Sequence, residues 1–313
     1  MKTLDLIIPC YNEEAVLPLF YQTVRQTLQT LPDCRATLLF VDDGSTDGTL
    51  QKLKAFAAGD SAVRYLSFSR NFGKEAAMLA GLRASKGDLV GILDADLQHS
   101  PALLLPMLEA IEEGYDVAAA KRTDRAGETK LKSRLSDAFY HVANKITQVE
   151  IDPGAQDFRV MTRPVVNAIL QLCEHRRFTK GIFSFVGFRT KWIAHENASR
   201  AAGETKWSYR KLWAYALDGV LGYSDLPLKL PFYGGACLLC AAILYAIVLL
   251  IVRLCGAAVS SVHAVLIVLL LLGGAILCAL GVLGAYLARV YTEVKNRPDY
   301  IIRETNMPPE RGA

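Results

Sequence analysis

Asp94 and Asp96 are the residues of this chain best placed to do chemistry. They end the apolar run Leu89-Val90-Gly91-Ile92-Leu93, are separated only by Ala95, and are followed by the amide of Gln98. A strand interior disfavours aspartate, so the run is expected to leave its sheet at Asp94. Side chains alternate along an extended chain, but a turn just past the strand brings both acids to bear on one ion. Two carboxylates beside an amide suit Mg2+ or Mn2+, ions whose coordination is usually completed by substrate phosphates. A plainer reading makes the same residues a turn ahead of a helix, with Ser100 as N-cap and Pro101 at N1. The motif alone does not separate the two, because short motifs recur by chance.

The elements that must position this pair can be read along the chain. Leu4 to Pro9 reads as a first strand, followed by Cys10-Tyr11-Asn12-Glu13-Glu14 and a helical pattern to about Leu31. Residues 36–41 form a second apolar strand that ends in Asp42-Asp43-Gly44-Ser45-Thr46-Asp47, a turn opening the next helix. Val63 to Ser67 is a third strand and Gly73 to Ser85 a helix; after the acidic strand, Pro101 to Glu113 is helical and Asp116 to Ala120 extended. Apolar strands alternating with helices predict a parallel, doubly wound sheet. Such sheets take ligands beyond the carboxyl ends of their strands. Tyr11 with Glu13, Asp43, and the Asp94–Asp96 pair all fall there, so three loops are expected to converge on one crevice. There is no Gly-x-Gly-x-x-Gly and no Gly-x-x-x-x-Gly-Lys-Ser, so a nucleotide would not be gripped by a glycine loop. A metal bridging a diphosphate would replace that device, and Asp43 suits the NH and OH groups of a base or ribose.

Composition narrows the partners. A net charge of +4 is too small to argue for nucleic acid, and the basic residues of the middle and the apolar flanks fit anionic lipid or phosphate better. The seven cysteines are scattered, and Cys237 and Cys240 lie inside an apolar run where thiols behave as small hydrophobes. All seven read as reduced, which favours a cytosolic catalytic portion, and Met1-Lys2-Thr3 leads into a strand rather than a signal peptide. Lys121 to Lys145 mixes cations with Leu131, Leu135, Phe139 and Tyr140, the pattern of a helix lying on a membrane, although a solvated charged face would look similar. Gly154 to Arg159 reads as a loop feeding a strand, with Asp157 as a turn residue. Ser199 to Lys206 reads as a flexible loop over a substrate. Trp207, Tyr209, Trp213 and Tyr215 among Lys206, Arg210 and Lys211 have the composition of an interfacial helix.

Leu230 to Val252 and Ala264 to Ala288 contain no charged residue. Each exceeds the roughly 20 helical residues that cross a hydrocarbon core. Lys229 before the first and Arg289, Lys295, Arg297 and Arg303 after the second put both flanks, and the catalytic portion, on the cytoplasmic side.

The motifs Ile7-Ile8-Pro9-Cys10-Tyr11-Asn12-Glu13-Glu14, Val41-Asp42-Asp43-Gly44-Ser45-Thr46-Asp47 and Asp94-Ala95-Asp96-Leu97-Gln98 resemble the inverting family 2 glycosyltransferases of the GT-A fold. Ser69-Arg70-Asn71-Phe72-Gly73-Lys74-Glu75, Asp157-Phe158-Arg159, Gly203-Glu204-Thr205-Lys206 and the two apolar spans narrow this further. Together they resemble the polyisoprenyl-phosphate glycosyltransferases, among them bacterial bactoprenol (undecaprenyl-phosphate) glucosyltransferases and dolichyl-phosphate mannose synthases. The likeness covers nearly the whole chain. It implies an α/β GT-A catalytic domain with a Rossmann-like, mostly parallel sheet over 1–206. Interfacial amphipathic helices over 207–229, a two-helix transmembrane hairpin over 230–290 and a cytosolic tail over 291–313 would follow.

By the same resemblance, Pro9, Tyr11, Glu13, Val41, Asp43, Asp94 and Ala95 would hold the nucleotide, and Asp94, Asp96 and Gln98 an Mg2+ or Mn2+ ion. Asp157 and Asp96 would serve catalysis, and Arg122, Lys132, Arg134, Arg200 and Lys206 the phosphates of donor and acceptor. Gln156, where relatives often carry glycine, and Ala285, where many carry glutamate, depart from the pattern.

The expected reaction is transfer of a hexose, glucose first, from a UDP-sugar to undecaprenyl phosphate with inversion at the cytoplasmic face of a bacterial inner membrane. The alternatives are N-acetylglucosamine, mannose or an aminoarabinose-type sugar on the same lipid, or a non-catalytic nucleotide-sensing scaffold. A processive polysaccharide synthase would carry more spans and a Gln-x-x-Arg-Trp signature, which this chain lacks. The expected partners are the UDP-sugar, the polyprenyl phosphate and the membrane, with a separate flippase and a downstream glycosyltransferase. Self-association is left open.

Overall fold

The computed structural model describes residues 2–31, 34–122, 154–172, 174, 177–195, a few isolated positions between 244 and 254, and 261–308. The chain divides into two compact units: Met1–Lys145 with Val149–Ala216 and Pro298–Ala313, and Ile146–Gln148 with Leu217–Arg297.

The first unit is built on one eight-stranded sheet. Its strands are β1 (Lys2–Cys10), β2 (Cys34–Asp42), β3 (Val63–Phe68), β4 (Leu89–Ile92), β5 (Val117–Arg122), β6 (Ala155–Thr162), β7 (Thr190–His195) and β8 (Ile302–Thr305), in the spatial order β7-β5-β6-β4-β1-β2-β3-β8. β1 pairs in parallel with both β2 and β4, and β2 with β3, as alternating apolar strands and helices require. The strand order reverses at β1 and β4, and a switch point of this kind opens a crevice at the carboxyl ends of those two strands. Tyr11 follows one of them and Asp94 the other.

The helices of this unit are α1 (Leu17–Thr30), α2 (Thr49–Gly59), α3 (Lys74–Ala84), α4 (Leu104–Glu112), α5 (Arg163–Leu170) and α6 (Thr179–Phe185). Leu4, Leu6 and Ile8 of β1 meet Phe20 and Val24 of α1, Phe40 of β2 and Leu53 of α2 in the main core. Leu104 and Met107 of α4 join the same cluster. Seven consecutive residues of α3, Ala76 to Leu82, are buried, and Gly81 lets the helix approach Ile7 of β1, where a Cβ would come within 2.3 Å of its Cγ2.

One finding departs from the sequence reading. Gly154 to Arg159 is not a loop feeding a strand: β6 begins at Ala155, so Asp157 stands within the strand rather than in a turn. β6 runs antiparallel to β4 and β5, and β8 antiparallel to β3, so the sheet is mostly parallel, as the family resemblance implies. The antiparallel strand β8 belongs to the tail. Ser69 N donates to Ile301 O at 2.9 Å, Tyr300 stacks on Phe68 with ring centroids 5.0 Å apart, and Arg83 pairs with Asp299 at 3.1 Å. The added strand covers the edge of β3, which would otherwise present unpaired backbone groups.

Asn306 finishes this edge: its Oδ1 accepts from Tyr65 N at 2.9 Å and its Nδ2 donates to Val63 O at 3.2 Å. Asn306→Ala strips both partners and is expected to cost about 1–3 kcal/mol. A lowered thermal unfolding midpoint of the detergent-solubilised protein would register it, and an unchanged midpoint would show that the tail does not brace the sheet.

Among the described residues of the second unit, α7 (Ser261–Lys295) is a 35-residue helix. It is long and apolar enough to cross a membrane, the most apolar 18 residues of Leu271–Lys295 having a mean hydropathy of 2.1. Leu269, Ile276, Leu280, Leu283 and Leu287 are all exposed. Most of the companion run 230–252 lies outside the described residues, as do the amphipathic stretch beyond Arg122 and the interfacial stretch 207–229.

Candidate active site

The loop after β1 is tied to the loop after β2. Asn12, held at φ 53°, donates its N–H to Ser45 Oγ at 2.9 Å, and its Oδ1 accepts from Thr46 N at 2.8 Å. Glu13 N donates to Thr49 Oγ1, and Glu14 Oε2 accepts from Gly48 N, both at 2.9 Å. Asp42 Oδ1 accepts from Ser45 N at 3.0 Å and its Oδ2 from Ser67 Oγ at 2.7 Å. Asn12, Glu14 and Asp42, none of them assigned to the nucleotide, thus hold in place the loops that carry Tyr11, Glu13 and Asp43. Pro9 and Tyr11 are half-buried, whereas Val41 and Ala95 are buried.

Asp43 reaches across to the loop between β3 and α3. Its Oδ1 accepts from Phe72 N at 2.6 Å and its Oδ2 from Gly73 N at 2.9 Å. The sequence offered Asp43 to a base or ribose; in the structure each of its oxygens already accepts from backbone, leaving further lone pairs for a ligand. Gly44 permits this approach. It sits at φ +67°, and a Cβ there would come within 2.3 Å of the Arg70 carbonyl carbon. Burial pushes the Asp43 carboxyl up to about 6, against the pull of the two backbone donors.

That shift carries a signed consequence. Because the folded-state pKa lies above the unfolded one, the native protein holds a proton between about pH 4 and pH 6 that the unfolded chain has released. Asp43 therefore makes stability fall as pH rises through that window. Asp43→Asn is expected to remove this component of the slope, whatever its uniform cost to the loop, and melting curves at pH 4, 5, 6 and 7 would reveal it. An identical slope in both proteins would refute the assignment.

Beyond β4 the chain turns sharply. Leu97 takes φ 56°, and Asp96 Oδ1 accepts from Gln98 N at 3.1 Å. Ser100 Oγ accepts from Ala102 N, so the capping reading of the motif holds together with its placement at a strand end. The antiparallel register pairs Ile92 with Arg159; continued by two residues, it sets Asp94 level with Asp157. Like charges so opposed repel.

Lys74, the first residue of α3, resolves the repulsion. Its Nζ lies 2.8 Å from Asp94 Oδ1, 2.9 Å from Asp94 Oδ2 and 2.6 Å from Asp157 Oδ2. Burial alone would raise the Asp157 carboxyl, but the Lys74 ammonium, with Lys180 and Arg159 nearby, holds it well below the usual carboxylate range. Burial likewise works against the charge of Lys74, and the two carboxylates reverse it, raising the ammonium above its ordinary value.

Arg159 packs its guanidinium 3.5 Å from the ring centroid of Phe183 and donates to the backbone oxygens of Gln156 and Asp157. Burial lowers it to about 10 despite Asp157. A cavity of about 170 Å3 opens beside it, lined by Lys180, Phe183, Ser184 and Trp192 among others. On the other side of the acid loop, His99 Nδ1 lies 2.8 Å from His195 Nε2, joining that loop to the end of β7.

Among the described residues no group of three carboxylate, imidazole or thiol side chains stands ready to hold a metal. Asp94, Asp96 and Gln98 offer hard oxygen donors, and a divalent ion that keeps most of its shell for water and phosphate needs only one or two protein carboxylates. Arg122 ends β5. Lys132, Arg134, Arg200 and Lys206 lie outside the described residues. The residue that sequence reasoning left without a role is Lys74. It sits beyond the carboxyl end of β3, the same address that selected Tyr11, Asp43 and Asp94.

A switch point flanked by Tyr11 and Asp94, with acids beyond its strand ends, agrees with the GT-A sheet that the family resemblance implies. The chain belongs to glycosyl transferase family 2, whose model matches residues 5–170. It is 41% identical to CsbB of Bacillus subtilis (strain 168), over 97% of this chain and 92% of that one. It is 40% identical to the SfII prophage-derived bactoprenol glucosyl transferase of Shigella flexneri, over 97% of this chain and 98% of that protein. Among solved structures it resembles glucosyl-3-phosphoglycerate synthase from Mycobacterium tuberculosis in complex with Mn2+, UDP-glucose and phosphoglyceric acid. The identity is 18%, the coverage 69% and 76%, and the TM-score 0.46.

Proposed function

We propose that this chain transfers a hexose, glucose first, from a UDP-sugar to undecaprenyl phosphate with inversion, at the cytoplasmic face of a bacterial membrane. The observation that carries the reading is the convergence at the switch point of the loops after β1, β2 and β4, bearing Tyr11, Asp43 and Asp94, with Lys74 at the start of α3 bridging Asp94 to Asp157 of β6. The near full-length likeness to a bactoprenol glucosyl transferase supports the acceptor and the sugar.

Asp94, Asp96 and Gln98 would hold Mg2+ or Mn2+, which when bound neutralises the charge of a departing diphosphate. The chain's own groups do the rest. Tyr11, Glu13 and Asp43 line the nucleotide side. Asp157, kept ionised by Lys74, orients hydroxyls of the sugar or the acceptor. The acceptor is a phosphate monoester with a second pKa of about 6, so it arrives as an anionic nucleophile and needs no general base. Arg159 and Lys180 place positive charge on the Asp157 side, where that anion would approach, and Arg122, Lys132, Arg134, Arg200 and Lys206 are the further candidates for phosphate. Single displacement on an α-linked donor gives a β-linked lipid phosphate.

The sheet bears on the membrane topology. β3 precedes 217–297 and β8 follows it, yet the two are hydrogen-bonded neighbours in one sheet. A chain that leaves and re-enters the same folded sheet crosses a bilayer an even number of times. If α7 spans, the pairing of β8 with β3 calls for a second crossing between β7 and β8, and the uncharged run Leu230 to Val252 is of sufficient length for it.

The full-length protein in detergent, given undecaprenyl phosphate, Mg2+ or Mn2+ and a panel of radiolabelled UDP-sugars, is expected to make lipid-linked product, best from UDP-glucose and β-linked by NMR. Absence of lipid product from every sugar would defeat the proposal; an α-linked product would defeat single displacement.

A further inference from the structure

Lys74 is placed with more care than an incidental ion pair needs. Gly73, at φ +102°, turns the chain into α3 so that Lys74 is its first residue. Asp43 clamps Phe72 N and Gly73 N, while Tyr300 and Ile301 of the returning tail brace Phe68 and Ser69 at the start of the same loop. Thus the loop carrying the ammonium is fixed from both sides. The ammonium then divides itself between a carboxylate of the acid pair and a carboxylate of β6, within 2.9 Å of three oxygens.

We propose that Lys74 is a positioning residue acting as an exchangeable counter-cation. With no divalent ion bound, its ammonium holds Asp94 and Asp157 together; when a divalent ion binds, Asp94 passes to the ion and Lys74 stays with Asp157. The proposal rests on the metal-dependent reading above. Its physical basis is competition. Both oxygens of Asp94 are engaged by Lys74, and a divalent ion needs at least one of them. Two cations drawn to one carboxylate also repel, so the lysine sets the affinity for the metal as well as the place of Asp157. A neutral side chain at position 74 would leave Asp94 open to the ion and Asp157 without its anchor.

The test is a titration of the full-length, detergent-solubilised protein with Mn2+ alone and with Mn2+ plus UDP, following the free-ion signal by electron paramagnetic resonance. Lys74→Met is expected to bind Mn2+ about tenfold more tightly than wild type, while kcat falls about 100-fold because Asp157 is no longer held. Lys74→Arg, which keeps the charge, should match the wild-type Mn2+ affinity within about twofold. Lys74→Gln gives a second neutral variant should Met fail to fold. Neutral variants that bind Mn2+ no more tightly than a wild type with a normal titration would overturn the exchange and leave the metal reading standing. A wild type that shows no saturable Mn2+ binding even with UDP would overturn both.

Discussion

Replacing Asp96 with alanine is expected to lower sugar transfer by about 1,000-fold or more while the protein stays folded. Asp96 lies half-buried on a turn, where its Oδ1 accepts from Gln98 N two residues on. The chemical cost is large. If Asp96 helps to hold the ion that takes charge from the leaving diphosphate, its loss removes several kcal/mol of transition-state stabilisation. About 4 kcal/mol corresponds to a factor of about 1,000 in rate. Lipid-linked radiolabel per unit time measures the first quantity and a thermal melt the second. Wild-type turnover in a well-folded Asp96→Ala protein would remove the acid pair from the chemistry and return the motif to its capping role ahead of Pro101.

The second large effect is expected at Asp157. Asparagine there keeps the shape but loses the charge that Lys74 and its neighbours are arranged around. A charge-assisted hydrogen bond is worth about 1.5–3 kcal/mol, so Asp157→Asn should lower kcat about 10- to 100-fold. The donor KM should change far less, because Asp157 stands on β6, away from the loops after β1 and β2 that carry the nucleotide-side residues. A rise in KM at constant kcat would assign Asp157 to donor binding instead, and full turnover would leave it no role. Stability gives an independent check. The folded-state pKa of Asp157 lies below the unfolded value, so its ionised form stabilises the native state above the unfolded pKa and is lost as pH falls through the folded one. Asp157→Asn should therefore lower the melting temperature at neutral pH.

Much of this arrangement was legible from residue order. Apolar runs alternating with helical patterns announced a parallel sheet, and the rule that ligands sit beyond strand ends selected Tyr11, Asp43 and Asp94 without any coordinates. That reasoning works because strand, turn and helix are local: a run such as Leu89 to Leu93 declares its burial, and the acids after it declare its exit. It failed for Asp157. Gly154, Gln156 and Asp157 look like a loop by composition, and only the pairing of β6 between β4 and β5 makes them a strand. Short-range pattern carries no record of which distant strand will supply the hydrogen bonds.

What the sequence determined by itself is the set of acids, their strand-end addresses and the uncharged C-terminal stretches, all of which follow from local polarity and spacing. What only the tertiary structure decided is who partners whom. Lys74 is 20 residues from Asp94 and 83 from Asp157 in the chain, and Tyr65 is 241 from Asn306. Contacts over such separations depend on the packing of α3 against the sheet and on the return of the tail to the edge of β3. No periodicity along the chain encodes them, because the energy that selects them arises only when the whole sheet has formed.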